Sequence, residues 1–244
     1  MCSSDLGTKE ILHPKTILSS VPKRHNSVLL IIPKIPPKSN TLDIEKREGV
    51  CYNKWQGGLI MKVYDFDKTI YNGDSTAHFY FYCLSRRPKM LIHLPATALA
   101  GIRYRFGAIS KTQFKQTLYR FLTCIGNTEE MVENFWKGHK KNLKRWYLDS
   151  KEPTDVIISA SPYFLLKDIC AQLGVECLMA SNVDSATGIY DGENCHGKEK
   201  VRRFYEKYPD GRIDEFYSDS RSDDPLAQIS AKAFLVKGNK IEKW

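Results

Sequence analysis

The sequence predicts an α/β fold, a three-layer, Rossmann-like parallel sheet with a helical cap inserted after the first strand. Short apolar runs that are typical of buried strands recur along residues 61–244. Helical stretches follow several of these runs, which favours parallel strands joined by right-handed crossovers. A long stretch without strand patterns separates the first two runs, and this stretch is predicted to be the cap.

Five strands and three core helices are predicted from these patterns. The first strand ends in an acidic turn, and the second is centred on three consecutive branched apolar residues. The predicted strands are 62–66, 155–159, 177–180, 213–217 and 233–236. The predicted helices are 163–172, 198–207 and 223–231. Residues 182–184 and 189–191 flank an Ala-Thr-Gly turn, which predicts a small hairpin.

Residues 76–150 are predicted to form the helical cap, and residues 61–75 with 151–244 the core domain. The cap is basic, because residues 77–149 carry 13 Lys and Arg against 4 Asp and Glu. Such an excess predicts an anionic substrate or an anionic surface beside the cap. No recognised nucleic-acid-binding motif accompanies the charge, so nucleic acid is not an expected partner.

Two helix starts within the cap can be located from their first residues. Ser110 and Gln113 have the spacing of a capping box, which predicts a helix that begins there and ends at Gly126. Asn127 is predicted to begin the next helix in the same way.

Residues 1–60 do not fit the pattern of the core. They are rich in Pro, Lys and Ser and lack a sustained period of 2 or 3.6 residues. We expect either a disordered tail or a segment that is not translated in the cell. In the second alternative Met61 is the true start, because the codons just before it are able to form a bacterial ribosome-binding site. The nucleotide sequence upstream of Met61 distinguishes the two.

The sequence also predicts the cellular compartment. No apolar run approaches the roughly 20 residues that a membrane-spanning helix needs. The seven cysteines form no C-x-x-C pair, so they are expected to be free thiols in a reducing cytoplasm. We therefore expect a cytoplasmic protein, with peripheral attachment to the inner membrane face as an open alternative.

Asp65 and Asp67, in the run Asp-Phe-Asp-Lys-Thr, are the main candidates for catalysis. They follow the first predicted strand, and ligands of open parallel sheets bind beyond the carboxyl ends of strands. Two carboxylates at this spacing can project toward one region, where one attacks phosphorus and the other transfers protons. The alternative is a turn that only caps a helix.

Three further groups are candidates for the same site. Ser159 ends the second predicted strand, where a hydroxyl can hold phosphoryl oxygens, although serines are common there without a function. Lys198 and Lys200 begin a predicted helix, which is unfavourable unless an anion is near; a solvated basic face is the alternative. Asp219 and Asp223 follow the fourth strand, where carboxylates can hold Mg²⁺ or merely cap a helix.

Together these four motifs resemble those of the haloacid dehalogenase superfamily, over essentially all of residues 61–244. The resemblance implies that Asp65 is the nucleophile, which forms an aspartyl-phosphate, and that Asp67 is the general acid and base. It also implies a phosphate-binding group. That group comprises Thr69, which supports the loop, together with Ser159 and Lys200, which neutralise the phosphoryl oxygens.

The same resemblance implies Mg²⁺ as the cofactor. Asp219 would bind it together with the Asp65 carboxylate and the Asp67 backbone carbonyl. Asp223 would be a further ligand or an acid that positions one. Lys200 is preferred over Lys198 because the residues after Lys200 match the family's helix better.

The insertion resembles the C1-type cap of the phosphoserine-phosphatase-like branch, subfamily IB. Its details are similar to the C-type phosphatidylglycerophosphatases, through Arg86-Arg87-Pro88, the apolar residues 90–95 and residues 195–201. The implied function is phosphomonoester hydrolysis of a small phosphorylated metabolite, phosphoserine-like, or of a lipid phosphate. A membrane-associated phosphatidylglycerophosphate phosphatase is the alternative, and a non-catalytic phosphate-binding protein is less favoured. Residues 90–101 either dip into an anionic membrane surface or pack inside the cap.

Overall fold

Six strands form one sheet within residues 60–244, the part of the chain that this computed structural model describes. The strands are β1 (Lys62–Tyr64), β2 (Val156–Pro162), β3 (Cys177–Ser181), β4 (Ile213–Ser218), β5 (Ser230–Lys237) and β6 (Lys240–Lys243). Their order across the sheet is β3-β2-β1-β4-β5-β6, and all neighbours are parallel except β5 and β6. The prediction for the N-terminal segment, Ile60 apart, lies outside the described residues.

The predicted α/β fold is confirmed, and each of the five predicted strands overlaps an observed one. β2 is longer than predicted, because it passes Ser159 and ends at Pro162, with irregular pairing to β3 between these two residues. β6 was not predicted. Its four residues are all exposed, so they show no alternation of apolar and polar side chains that would indicate a strand.

Both faces of the sheet are buried, which makes the fold three-layered. Tyr64 and Ile157 pack in one apolar cluster, which includes Trp136. Val63 and Ile158 pack in a second cluster on the opposite face. Successive side chains of a strand point to opposite faces, so neighbouring residues of β1 and β2 supply both clusters. This arrangement explains why the strands are continuous apolar runs and not alternating patterns.

Five of the α-helices in the described part of the chain lie between β1 and β2. These are α1 (Ser75–Arg86), α2 (Leu94–Arg105), α3 (Lys111–Tyr119), α4 (Thr128–His139) and α5 (Arg145–Ser150). The others are α6 (Tyr163–Gln172), α7 (Lys198–Lys207) and α8 (Asp224–Gln228). We retain the division into a cap, 76–150, and a core, 61–75 with 151–244, as a proposal. None of the helices within residues 60–244 has the length and apolar character needed to cross a membrane.

α3 and α4 begin where the sequence predicts. Ser110 Oγ accepts a hydrogen bond from Gln113 N at 3.2 Å, and the Gln113 side chain accepts one from Ser110 N at 2.8 Å, which completes the capping box. Asn127 caps α4. α3 is shorter than predicted, because it ends at Tyr119 and the chain continues as the 3-10 helix Arg120–Cys124.

The helix predicted at 223–231 is also shorter in the structure. α8 ends at Gln228, and β5 already begins at Ser230, three residues before the predicted strand. Ser230 Oγ donates a hydrogen bond to Leu226 O at 2.7 Å, so a side chain satisfies a carbonyl at the helix end. The chain therefore enters the strand directly from the last turn of α8.

Candidate active site

The chain leaves β1 directly into the two candidate aspartates. Asp65 N donates a hydrogen bond to Tyr217 O at 2.9 Å, which continues the pairing of β1 with β4 through the first aspartate. Phe66, between the two acids, is fully buried in the core. The aspartates on either side of it both reach the cavity at this end of the sheet. The local chain therefore holds both carboxylates at the edge that the sequence predicts.

The loop then turns through an unusual backbone conformation at Lys68. Its φ is 56°, in the left-handed region that a lysine rarely adopts, and Lys68 N donates to Gly73 O at 2.9 Å. The buried side chain of Lys144 donates from Nζ to Lys68 O and also to Gly238 O, the latter at 2.6 Å. These contacts stabilise a strained turn next to the candidate nucleophile.

Lys200 joins two of the candidate aspartates in a buried group. Its Nζ lies 2.7 Å from Asp65 Oδ1 and 2.7 Å from Asp223 Oδ2. Ser218 Oγ donates a further hydrogen bond to Asp223 Oδ2 at 2.8 Å. Lys200 lies in the first turn of α7 and is 2% exposed, whereas Lys198 is exposed and does not line the cavity.

Burial and the opposing charges shift the pKa values of this group. Burial raises the pKa of Asp65 to about 7, although the Lys200 ammonium acts to lower it. Burial acts to lower the pKa of Lys200, but the carboxylates of Asp65 and Asp223 outweigh that effect and raise it. One ammonium thus faces two buried carboxylates, which is an excess of negative charge.

Asp67 is held by hydrogen bonds to both of its carboxylate oxygens. Ser75 N donates to Oδ1 at 2.6 Å, and Ser161 Oγ donates to Oδ2 at 2.5 Å. Thr76 Oγ1 lies 2.9 Å from Ser161 Oγ and extends the network to α1. Burial is the main cause that raises the pKa of Asp67, and the charge of Asp74 is the second. The hydrogen bonds from the two serines partly counteract the rise. A fixed carboxylate with a raised pKa is suited to transferring protons.

Six of the predicted site residues line one cavity of about 500 Å³. They are Asp65, Asp67, Ser159, Lys200, Asp219 and Asp223. Ser159 is buried, and its Oγ accepts a hydrogen bond from Ser161 N at 3.2 Å. Burial raises the pKa of Asp219, while the charge of Lys68 acts to lower it.

Thr69 is the predicted site residue that the structure does not bring to the cavity. Its side chain is fully buried, it is not among the lining residues, and Oγ1 has no hydrogen-bond partner. Thr69 follows Lys68 in the turn after Asp65 and Asp67, next to Ile70, whose N donates a hydrogen bond to Phe66 O at 3.0 Å. Its predicted role in the phosphate-binding group, as the residue that supports the loop, stays a prediction.

Several residues of the cavity were not predicted from the sequence. Ser161 is two residues after Ser159 on β2, and it contacts Asp67 directly. Lys111 and Lys115, one turn apart on α3, line the cavity from the cap together with His196. The spacing of the two lysines places both on one face of α3, but it does not indicate that this face meets the cavity.

The cap side of the cavity combines positive charge with apolar surface. Lys115 Nζ donates to Ala160 O at 2.9 Å and to Asn194 Oδ1 at 3.1 Å, and burial lowers its pKa to about 8. Burial also lowers the pKa of Lys111. The apolar part of this wall is formed by Tyr80, Phe81, Phe114 and Leu118. A ligand with an anionic group beside apolar atoms would fit this wall.

The carboxylates at the cavity are a suitable donor set for a hard cation. Asp65, Asp67 and Asp219 all have pKa values raised by burial, and Asp223 Oδ1 is buried without a hydrogen-bond partner. A divalent cation would offset the excess negative charge. No group of three or more His, Cys, Asp or Glu within residues 60–244 is arranged as a ready metal site. The ligands implied by the resemblance are two carboxylates and one backbone carbonyl, so they do not require a group of three such side chains.

Comparison with known families identifies the fold of this site. The model of the family described as haloacid dehalogenase-like hydrolase matches residues 63–228, which is more than half of the chain. The chain belongs to this family. The resemblance inferred from the motifs is thereby confirmed, and so is the assignment to a class of hydrolytic enzymes. A search of curated proteins found no match to this chain.

Solved structures show the same fold at low sequence identity. A protein of unknown function from Bordetella pertussis Tohama I is 18% identical, with a TM-score of 0.60, over 72% of this chain and 89% of that chain. A probable phosphoserine phosphatase from Vibrio cholerae, in unliganded form, is 14% identical, with a TM-score of 0.51, over 71% of this chain and 55% of that chain. At these identities the likeness shows the fold alone. The similarity to the C-type phosphatidylglycerophosphatases stays a prediction.

Proposed function

We propose that this haloacid dehalogenase-like hydrolase is a magnesium-dependent phosphatase that hydrolyses a phosphomonoester through a phosphorylated Asp65. One observation carries the proposal. Asp65, the first residue after the central strand β1, shares a buried cavity wall with Lys200, whose Nζ lies 2.7 Å from Asp65 Oδ1. A carboxylate nucleophile that is paired with a buried cation at the carboxyl end of a parallel sheet is suited to phosphoryl transfer.

In the first half of the reaction, a carboxylate oxygen of Asp65 forms a bond to phosphorus, and the bond between phosphorus and the leaving oxygen breaks. The leaving alkoxide needs a proton, and Asp67 is the group that would donate it. Hydrogen bonds from Ser75 N and Ser161 Oγ fix the Asp67 carboxylate in place. Lys200 and Ser159 would hold the oxygens of the transferred group.

In the second half, Asp67 would take a proton from a water molecule, and that water attacks the phosphorus of the aspartyl-phosphate. The bond between phosphorus and the Asp65 oxygen breaks, which releases inorganic phosphate and restores the carboxylate. Asp67 therefore acts once as an acid and once as a base, in agreement with a pKa that burial raises.

The residues that would hold Mg²⁺ are Asp219, the Asp65 carboxylate and the Asp67 backbone carbonyl, with Asp223 as a further ligand or as an acid that positions one. These are oxygen donors, which Mg²⁺ prefers. When bound, the ion supplies positive charge that offsets the repulsion between a carboxylate nucleophile and a phosphate group. Lys200, in the first turn of α7, would also supply positive charge that offsets this repulsion.

The substrate is either a small phosphorylated metabolite or a lipid phosphate, and the charges of the cavity favour a substrate without an ammonium group. Between Ser75 and Thr128 the chain carries no Asp or Glu, and Asp74, which lines the cavity next to this part of the cap, already accepts a hydrogen bond from Ala77 N at 2.9 Å. Lys111 and Lys115 line the cavity there instead. A leaving group that is itself anionic, such as the phosphodiester of phosphatidylglycerophosphate, fits better than phosphoserine.

The decisive experiment measures phosphate release from a panel of phosphomonoesters, with Mg²⁺ and with a chelator. The panel contains p-nitrophenyl phosphate, phosphoserine and phosphatidylglycerophosphate in detergent. Asp65→Asn is expected to abolish turnover while the protein stays folded, and Asp168→Asn, at an exposed position on α6, is the matched control. Acid-quenched wild-type protein should carry a phosphoryl group that neutral hydroxylamine removes, as an acyl phosphate does. Appreciable turnover by Asp65→Asn would refute the assignment of the nucleophile, and phosphate binding without turnover by the wild type would favour the non-catalytic alternative.

A further inference from the structure

An unusually exposed apolar surface covers one side of the cap. It lies on α2 and the preceding 3-10 helix Pro88–His93, and we call it the α2 surface. Two of its side chains, Ile92 and Phe106, are 76% and 82% exposed. The α2 surface comprises Leu91, Ile92, Leu94, Leu99, Ile102 and Phe106. Large apolar side chains that cluster in this way on a surface mark a site of interaction.

α2 carries several large apolar side chains, yet the helix is exposed along most of its length. Ala100 is its only buried residue. Leu99, Ile102 and Phe106 are three and four positions apart, so they share one face of the helix. On another side, Tyr104 stacks on Phe114 of α3, with ring centroids 5.4 Å apart. Packing against α3 therefore leaves the face with Leu99 and Phe106 uncovered.

Positive charge surrounds the α2 surface without acidic neighbours in the sequence. Eight Lys and Arg and no Asp or Glu lie from Ser75 to Thr128. Five of these cations lie near the start or the end of the segment that carries the α2 surface. None of the five forms an ion pair within the described residues. They are Arg86, Arg87, Lys89, Arg103 and Arg105. The occupant of such a surface should be apolar and negatively charged.

We propose that the α2 surface docks onto an anionic lipid bilayer, with its apolar side chains among the acyl chains near the headgroups and its flanking cations on the lipid phosphates. Exposed Leu, Ile and Phe next to Arg and Lys are the composition of segments that lie in a membrane interface. The inference goes beyond phosphomonoester hydrolysis and does not rest on it, because docking requires no group of the active site.

Charge complementarity distinguishes the bilayer from the two other occupants that the chain itself could supply. A second copy of the same surface would bring two sets of unpaired cations together, which is repulsive. Residues 1–60 carry 9 Lys and Arg against 5 Asp and Glu, so this segment is also basic. An anionic bilayer is the occupant that satisfies both the charge and the apolar side chains.

The docking surface adjoins the candidate active site. Phe114, on which Tyr104 of α2 stacks, lines the cavity, and so does the 63% exposed side chain of Phe81. A protein attached through α2 would therefore hold the cap wall of the cavity close to the headgroups. A phosphomonoester on a lipid would then meet the cavity at a high local concentration.

The experiment is co-sedimentation of the full chain with vesicles of phosphatidylcholine, alone or with about 30% phosphatidylglycerol. The wild type should sediment with the anionic vesicles and not with the neutral ones, and binding should weaken as salt increases. The variant Leu99→Gln/Ile102→Gln/Phe106→Gln should reduce binding about tenfold or more. Its matched control, Ile189→Gln/Ile241→Gln, changes exposed apolar residues outside the cap and should bind as the wild type does.

Charge reversal tests the second half of the inference. Arg103→Glu/Arg105→Glu should reduce binding to anionic vesicles about tenfold or more, since each cation near the surface contributes about fivefold. Lys240→Glu/Lys243→Glu, at exposed positions on β6, is the control that should have no such effect. All four variants should keep the wild-type rate on soluble p-nitrophenyl phosphate, which separates docking from catalysis.

Three results would overturn the inference. One is equal binding of wild type and the triple glutamine variant to anionic vesicles. Another is a dimer in light scattering that the triple variant loses, without vesicle binding, because the occupant would then be a second copy. The third is absence of vesicle binding together with chemical cross-links from residues 1–60 to Lys89, because the N-terminal segment would then cover the surface.

Discussion

The Nζ atom of Lys200 lies 2.7 Å from Oδ1 of Asp65, and both side chains are buried at the end of the central strand. The same ammonium lies 2.7 Å from Asp223 Oδ2. A buried charge that loses its partner is strongly destabilising, so this lysine stabilises the folded site, and in the proposed reaction it would also stabilise the phosphoryl group.

Replacing Lys200 should therefore affect both activity and stability. Lys200→Met leaves two buried carboxylates without their ammonium, and we expect the free energy of unfolding to fall by about 3 kcal/mol. Turnover should fall by about 10³-fold, because the phosphoryl oxygens lose a donor. Urea denaturation in the presence of a chelator measures the first effect, and phosphate release from p-nitrophenyl phosphate the second.

The double variant Lys200→Met/Asp223→Asn is the control for this interpretation. Removing the Asp223 charge should restore part of the lost stability, whereas turnover should stay low. If the double variant were less stable than Lys200→Met by the full cost of Asp223→Asn alone, the two side chains would be energetically independent, in disagreement with the 2.7 Å contact.

Ser161 should act by positioning Asp67. Its Oγ donates to Asp67 Oδ2 at 2.5 Å, and this bond stabilises the ionised carboxylate, so its loss should raise the pKa of Asp67 further. Ser161→Ala is expected to lower kcat about tenfold with little change in KM. The pH profile should move to higher pH, on its acidic limb where Asp67 acts as the base and on its alkaline limb where Asp67 acts as the acid.

Ser161→Thr keeps a hydroxyl and should recover part of the rate, which separates positioning from a general loss of structure. Ser85→Ala, on the exposed side of α1, is a matched serine that donates only to a backbone carbonyl and should leave kcat and the profile unchanged. An unshifted profile in Ser161→Ala would contradict the assignment of Asp67 as the acid and base.

Activity should depend on Mg²⁺ through Asp219. A chelator should abolish turnover, and added Mg²⁺ should restore it, because the buried carboxylates need a compensating cation. Asp219→Asn removes the charge of one proposed ligand and should raise the Mg²⁺ concentration needed for half-maximal activity at least about tenfold. A Mg²⁺ titration of phosphate release measures this, with Asp214→Asn on β4 as the control. Full activity of the wild type in chelator would exclude the proposed cofactor.

A buried carboxylate far from these ligands should make stability depend on pH. Burial raises the pKa of Asp155, at the start of β2, from 3.8 to about 6. Between these values the folded state binds more protons than the unfolded state, so stability should fall as the pH rises through this window and stay lower above it. Asp155→Asn removes the cost and can keep the hydrogen bond that Asp155 accepts from Glu152 N.

We expect Asp155→Asn to increase the free energy of unfolding by about 2 kcal/mol at pH 8 and to have little effect near pH 4. Urea denaturation across this pH range provides the measurement. The exposed Asp168→Asn should change stability little at either pH. A gain of the same size at both pH values would show that the cost of Asp155 is steric and not electrostatic.

Patterns in the sequence predict the elements whose signal is local. Apolar runs gave the position of every parallel strand within two or three residues, and Asp65, Lys200 and Asp219 lie at strand ends or a helix start, where their chemistry is visible. β6 could not be predicted, because an exposed edge strand of four residues needs no apolar pattern. Its pairing with β5 is a property of the folded sheet.

The parts of the site that depend on tertiary contacts could not be predicted. Ser161 contacts Asp67 across 94 residues, and nothing near either residue signals that pairing. Lys111 and Lys115 reach the cavity only because α3 packs over it, which a helical pattern alone does not specify. The role of Thr69 also depends on such contacts: its side chain is fully buried and Oγ1 has no hydrogen-bond partner, so its predicted support of the loop stays a prediction.

The antiparallel strand β6 has a consequence for how the molecule behaves at high concentration. An open sheet offers unpaired backbone groups at its margins, and a long apolar margin recruits strands from other molecules. Here the margin is only four residues long and carries Lys240, Glu242 and Lys243. Charges on so short a strand disfavour its pairing with an edge strand of another molecule, so β6 protects this side of the fold from fibrous aggregation.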